Sequence, residues 1–174
     1  MSALRALVAF VVVLTAVVLQ VTLFPHFAWQ GIVPNLALLV VVGAALVRGP
    51  QFACTLGFVA GLAVDLAPPA DHIAGRWALS FVIVGYLAGR IRQESPDQGK
   101  PSPTSVVLAV AASSFVATSV YALGGLLLND PRMNLSDVIT TILIAVIWDV
   151  LLTPFVLPPV MLLFARLQPS RVAY

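Results

Sequence analysis

The chain has 174 residues, 60% hydrophobic and only 9% charged, with a mean hydropathy of +1.04. A water-soluble domain carries about 25% charged residues and a spanning helix uses roughly 20 apolar ones. The composition therefore excludes an ordinary soluble enzyme and points to a single all-α integral membrane domain over residues 1–174, with six transmembrane helices. The net charge of +2 and pI near 9.1 do not indicate nucleic-acid binding, because the basic residues sit at the ends of apolar runs, where they set topology and meet lipid head groups.

The first apolar helix runs from about Ala3 to Phe24. Its apolar stretch is longer than a cleavable signal's and has no clear cleavage motif before Pro25, so it reads as a retained span. The following loop carries Trp29, suited to the interfacial aromatic belt. A second helix begins near Ile32 or Pro34, since proline is tolerated in a first turn, and ends near Val47. Arg48-Gly49-Pro50-Gln51 forms a tight turn, and a third helix covers Phe52 to Leu66. Both helices are short for a span, which predicts a closely packed hairpin, steeply set or beside a thinned bilayer.

After the loop from Ala67 to Gly75, a fourth helix covers Arg76 to Ile91. The segment of about 92–105, with Glu94, Asp97, Lys100 and three prolines, is the longest polar stretch and reads as a cytoplasmic loop. A fifth helix covers Ser105 to Leu128. The sixth runs from Asp137 to about Leu167, capped by Asn134 or Ser136, with a kink expected at Pro154, Pro158 and Pro159. When these helices are threaded in and out of a bilayer, seven of the nine basic residues (Arg5, Arg48, Arg90, Arg92, Lys100, Arg166, Arg171) fall on one side, and only Arg76 and Arg132 fall opposite. The positive-inside rule then places both termini in the cytoplasm.

Two acids stand out against this apolar background. Asp65 closes the third helix, where the helix dipole already disfavours negative charge. Arg76 opens the fourth helix on the same outer side, so an Asp65–Arg76 pair is expected, either as a salt bridge fixing helix packing or as part of a ligand site. Asp149 lies twelve residues beyond Asp137, about 18 Å along the helix and so mid-membrane. An acid at that depth is a functional-site hypothesis. Pro154 leaves the Val150 carbonyl without its helical donor, and acid, freed carbonyl and Thr153 together offer a place for a proton, a cation or another helix. The plainer reading is an Asp149 that hydrogen-bonds a neighbouring helix.

Gly57 and Gly61, and again Gly85 and Gly89, form GxxxG motifs that let helix backbones approach, within the chain or between copies. His26 and His72 lack metal-ligand spacing, so no metal is expected. Cys54 is the single cysteine and excludes an intramolecular disulfide. There is no glycine-rich phosphate loop with Lys, no serine nucleophile elbow, no zinc-protease pattern and no acidic cluster. Neither a catalytic residue nor a cofactor is expected.

The run Pro34-Asn35-Leu36, the turn Arg48-Gly49, the segment Gly57-Phe58-Val59-Ala60-Gly61-Leu62-Ala63-Val64-Asp65, then Gly75-Arg76-Trp77-Ala78-Leu79 and Gly85-Tyr86-Leu87-Ala88-Gly89 together resemble the rod shape-determining MreD family over roughly residues 30–92. That family's pattern is a P-[DN]-L opening, a glycine turn, a G-F-x-x-G-L-x-x-D ending and a G-Y-x-x-G segment. The resemblance implies a non-enzymatic scaffold of the bacterial cell-elongation machinery in the inner membrane. It implies contact with the single-span protein MreC and, through it, with the cytoskeletal protein MreB, the polymerase RodA and its partner transpeptidase. It also implies a fold like that of the S components of energy-coupling-factor vitamin transporters. The alternative function is therefore that of a substrate-binding S component, with Trp29, His72, Trp77 and Asn129 as its outer polar and aromatic groups. In the scaffold reading, the glycine faces receive a partner's span or pack the bundle, and the segment from Arg90 to Lys100 meets a cytoskeletal partner or anionic lipid.

Overall fold

The structure, a computed structural model, describes residues 3–68, 73–95, 101–128 and 135–167. Expectations that concern Asp71, His72, Asp97, Lys100, residues 129–134 and the tail from Gln168 lie outside the described residues, as does the capping of the sixth helix by Asn134 or Ser136. The described chain is helical throughout: α1 (Ala3–Thr22), a 3-10 turn (Phe24–Phe27), α2 (Leu36–Arg48), α3 (Pro50–Leu66), α4 (Arg76–Glu94), α5 (Pro103–Leu127) and α6 (Leu135–Arg166). By length and composition α1, α5 and the stretch Asp137–Arg166 of α6 are apolar enough to cross a membrane, while α2 and α3 are shorter apolar helices.

Three boundaries differ from the sequence expectation. The turn between α2 and α3 is a single residue, Gly49, because Pro50 already serves as the first helical residue of α3. Gly49 has φ 80° and ψ 179°, a conformation essentially confined to glycine, and an added Cβ would meet the Gln93 side chain at 2.8 Å. The polar segment between α4 and α5 is shorter than expected, since α4 continues to Glu94 and α5 begins at Pro103, capped by the Ser102 side chain. Finally, α6 begins at Leu135, two residues before Asp137, and as expected runs as one helix that contains Pro154, Pro158 and Pro159.

At thirteen residues α2 is about 20 Å long, well short of a hydrocarbon core of about 30 Å. It is also the centre of the molecule. Every residue from Leu36 to Ala45 is buried, and α2 touches all five other helices. α1 and α6 pack around it and turn Leu7, Phe10, Leu14, Leu143, Leu151 and Phe155 outward.

The most extensive pairing is between α3 and α4. Their glycines interlock in antiparallel register. A Cβ on Gly57 would lie 2.5 Å from the Phe81 carbonyl oxygen, and one on Gly61 would lie 2.5 Å from the Trp77 carbonyl oxygen. Conversely, a Cβ on Gly85 would meet the Ala53 carbonyl oxygen at 2.7 Å, and one on Gly89 the Pro50 nitrogen at 2.5 Å. Both GxxxG faces are therefore filled by backbone of the same chain, which leaves them no room for a partner's helix. In lipid such close contact holds helices by dispersion rather than by release of water.

Backbone cannot withdraw as a flexible side chain can. Gly61→Ala is expected to lose about 1–3 kcal/mol of stability or more through overpacking. In Gly124→Ala the new methyl meets only the Arg76 side chain, at 3.6 Å. That variant is expected to be neutral or slightly stabilised, since Ala exceeds Gly in helix propensity by about 1 kcal/mol. Thermal unfolding of the detergent-purified variants, followed by tryptophan fluorescence, separates the two, and equal melting would contradict the interlock.

Candidate functional site

Because α2 starts inside the bundle, its first-turn N–H groups point into protein rather than water. Each such group left unpaired costs free energy. Local and distant side chains share the work. Asn35 is the N-cap, and its side-chain oxygen accepts from the Leu38 N–H at 3.1 Å. Gln20, on α1, accepts from the Ala37 N–H at 3.1 Å. The Asn35 N–H itself donates to Asp149 Oδ1 at 2.7 Å. The other carboxylate oxygen of Asp149 accepts from the Ser114 hydroxyl of α5 at 2.6 Å.

Gln20, Asn35, Ser114 and Asp149 are all buried, so α1, α2, α5 and α6 meet at one polar node near the middle of α6. The Asp149 carboxyl oxygens also lie at the positive end of the α2 helix dipole. The Thr153 hydroxyl donates to the main-chain oxygen of Asp149 at 2.8 Å, so it serves the helix backbone and not the carboxylate. Pro154 follows on the same turn and has no N–H to offer Val150.

A second node closes the end of the bundle opposite Gly49. Asp65 ends α3, and its carboxylate accepts three main-chain N–H bonds at the start of α4: Gly75 at 2.8 Å, Trp77 at 3.1 Å and Ala78 at 3.1 Å. α4 has Gly75 at its N-cap and no side-chain cap of its own, so Asp65 supplies that cap from the neighbouring helix. The unfavourable position at the negative end of α3 is offset by the positive end of α4. Arg76, the first residue of α4, reaches α5: its Nε and Nη2 donate to the Tyr121 carbonyl at 3.2 and 2.8 Å. Its guanidinium lies over the Tyr121 ring, 3.9 Å from the centroid. Trp77 stacks on the same ring at 4.3 Å. Asp65 and Arg76 thus stand at one junction that binds α3, α4 and α5 together, both buried.

At the Gly49 end, Arg48 donates to the Leu167 carbonyl at 2.9 Å and lies over Phe52, 4.4 Å from the ring centroid. This fixes the last turn of α2 to the end of α6. His26 is exposed and pairs with the Leu23 carbonyl of its own turn. Cys54 bonds the Val82 carbonyl at 3.6 Å, within the α3–α4 contact. Among the described residues no three His, Cys, Asp or Glu side chains come together as a metal site.

Sequence reasoning singled out Asp65, Arg76 and Asp149 but missed Gln20, Asn35, Ser114 and Tyr121. Gln20 carried a signal, as an amide side chain inside an otherwise apolar span. So did Asn35, a good N-cap directly after a proline. Ser114 and Tyr121 carried none, because serines and tyrosines are common in such helices.

The family model of the rod shape-determining protein MreD matches residues 1–166. The chain belongs to the MreD family. The match extends well past the stretch around residues 30–92 that carries the recognisable motifs, and takes in α5 and all of α6. Membership supports a role in rod shape determination, and the long apolar helices fit a membrane protein. Neither the comparison with curated proteins nor that with solved structures gave a match. In this MreD-family chain the motif residues Gly57, Gly61 and Asp65 face α4, Gly85 and Gly89 face α3 in return, and the Asn of the P-[DN]-L opening caps α2.

Asp149→Leu would leave the Asn35 N–H unpaired among apolar side chains, at a cost of about 1–3 kcal/mol. Asp149→Asn keeps an acceptor oxygen for that N–H, and the Ser114 hydroxyl can reverse to accept from the new amide. The Leu variant is therefore expected to melt well below the Asn variant. Equal melting would mean that Asp149 does not hold α2. Full rescue of rod shape by the Asn variant in cells lacking the wild-type protein would exclude an obligatory ionised acid.

Proposed function

We propose that this protein is a non-enzymatic scaffold of the bacterial cell-elongation machinery, spanning the inner membrane six times with both termini in the cytoplasm. The observation that carries this reading is the MreD family match over residues 1–166. The orientation rests on the basic residues: Arg48, Arg90, Arg92 and Arg166 gather at the Gly49 end, while Arg76 lies at the other.

The interior supports a scaffold. Its two buried acids are engaged in closing helix ends and joining helices, Asp65 through three backbone amides and Asp149 through Asn35 and Ser114. In this reading the protein works by presenting a rigid surface to the single span of MreC and, through it, to MreB, RodA and the partner transpeptidase. The interlocked glycine faces are occupied, so the partner's span docks on outward faces such as those of α1 or α6. The S-component alternative gains no support from Trp77, whose ring stacks on Tyr121 and packs at a tilt against Phe81.

The test is affinity purification of the tagged protein from mild-detergent membranes, with mass spectrometry of what accompanies it. Recovery of MreC with wall-synthesis enzymes is the expected result. Recovery of a transmembrane coupling protein with paired ATPases, or of a bound vitamin, would overturn the scaffold reading.

A further inference from the structure

A groove of about 350 Å³ runs between α4 and α5 at the Gly49 end of the molecule. Its walls are two helical stripes: Val84, Leu87, Ile91 and Arg92 from α4 face Ala109 and Ala112 from α5. The groove exists because neither helix is free to close it. α4 is held backbone-to-backbone against α3 through Gly85 and Gly89, and α5 is held to α6 and α2 through Ser114 and Asp149. On the α5 wall the small side chains of Ala109, Ala112 and Ser113, between Leu108 and Val116, leave space unfilled. Leu87 and Ile91 are 41% and 68% exposed, so the groove opens sideways to the surroundings of the bundle.

The lining is mostly apolar and includes Arg92, Ser95 and Ser105 at its polar end, the Ser105 hydroxyl donating to the Ser102 carbonyl at 2.8 Å. The stripe from Ser105 to Val116 spans roughly 16 Å at 1.5 Å per residue. A slim apolar chain with a negative end fits. The volume also lies in the range of about 300–1,000 Å³ usual for small-ligand sites.

We propose that this groove binds one anionic phospholipid, with an acyl chain between α4 and α5 and the phosphate at the end lined by Arg92. Assignment to the cytoplasmic leaflet rests on the orientation given above; the binding itself does not. The lipid completes a wall that the fold leaves open and ties the α4–α5 side of the scaffold to membranes rich in anionic lipid.

The test uses the full chain in phosphatidylcholine nanodiscs containing phosphatidylglycerol with a photoreactive acyl tail, followed by peptide mapping of the adducts. Adducts are expected on residues of the 84–95 and 105–116 stretches. Ala109→Phe, which fills the groove, is expected to abolish them. Arg92→Gln, at a partly exposed position, should lower the preference for phosphatidylglycerol over a phosphatidylcholine probe about fivefold, the factor expected for one basic residue at a lipid surface. Adducts spread evenly over the outward faces of α1 and α6 would overturn the proposal. So would labelling that is indifferent to both substitutions, or a groove closed by a second copy of the chain, seen as a dimer lost in Ala109→Phe.

Discussion

The constraint on which this structure depends is that a helix cannot begin inside a membrane protein without partners for its first N–H groups. Water is absent there, and an unpaired backbone donor costs several kcal/mol in hydrocarbon. The short central helix α2 begins in this way, with Asn35 against the middle of α6. The donors are met by Gln20 from α1, by Asn35 itself and by Asp149 from α6, which Ser114 of α5 holds in turn. One helix end thereby fixes the relative positions of four helices. Apolar packing alone would do this poorly, because lipid tails are as apolar as the helix faces and give little reason to prefer protein over lipid.

The same device recurs at Asp65, and it gives the family's motif a physical content. Gly57, Gly61 and Asp65 are spaced by four residues along one face of α3. The glycines let the backbone of α4 come into contact, and the acid caps the helix so placed. Gly85 and Gly89 answer from α4. Arg76 and Trp77 then carry the assembly across to Tyr121 on α5. The motif therefore encodes a clamp, and its polar residues are structural. That is consistent with a protein that acts by holding a shape for its partners.

The helical layout was legible in the sequence because each span is bounded by charge, proline or glycine. The boundaries of α3 and α4 fell within a few residues of expectation, and the interest of Asp65, Arg76 and Asp149 followed from the cost of placing charge in an apolar run. Their bonding partners were not legible. Side-chain spacing suggested that Asp65 would meet the Arg76 side chain, whereas its carboxylate also accepts main-chain N–H groups, which every sequence contains and none advertises. For Asp149 the partners lie 114 and 35 residues away in the chain, on helices whose rotation no local pattern specifies.

The proposed scaffold role calls for rigidity at the centre more than at the rim, and the polar node ties four helices together there. The most direct measurement is hydrogen–deuterium exchange, read by mass spectrometry, over the backbone amides of Asn35, Ala37 and Leu38 in the reconstituted protein. If the node holds α2 as described, these amides exchange as slowly as those in the middle of α2, and Gln20→Ala speeds exchange at Ala37 while leaving Leu38 protected. Rapid exchange at Asn35 and Ala37 in the unaltered protein would contradict the account, because it would mean that the start of α2 meets water and that α1, α5 and α6 are held together by something else.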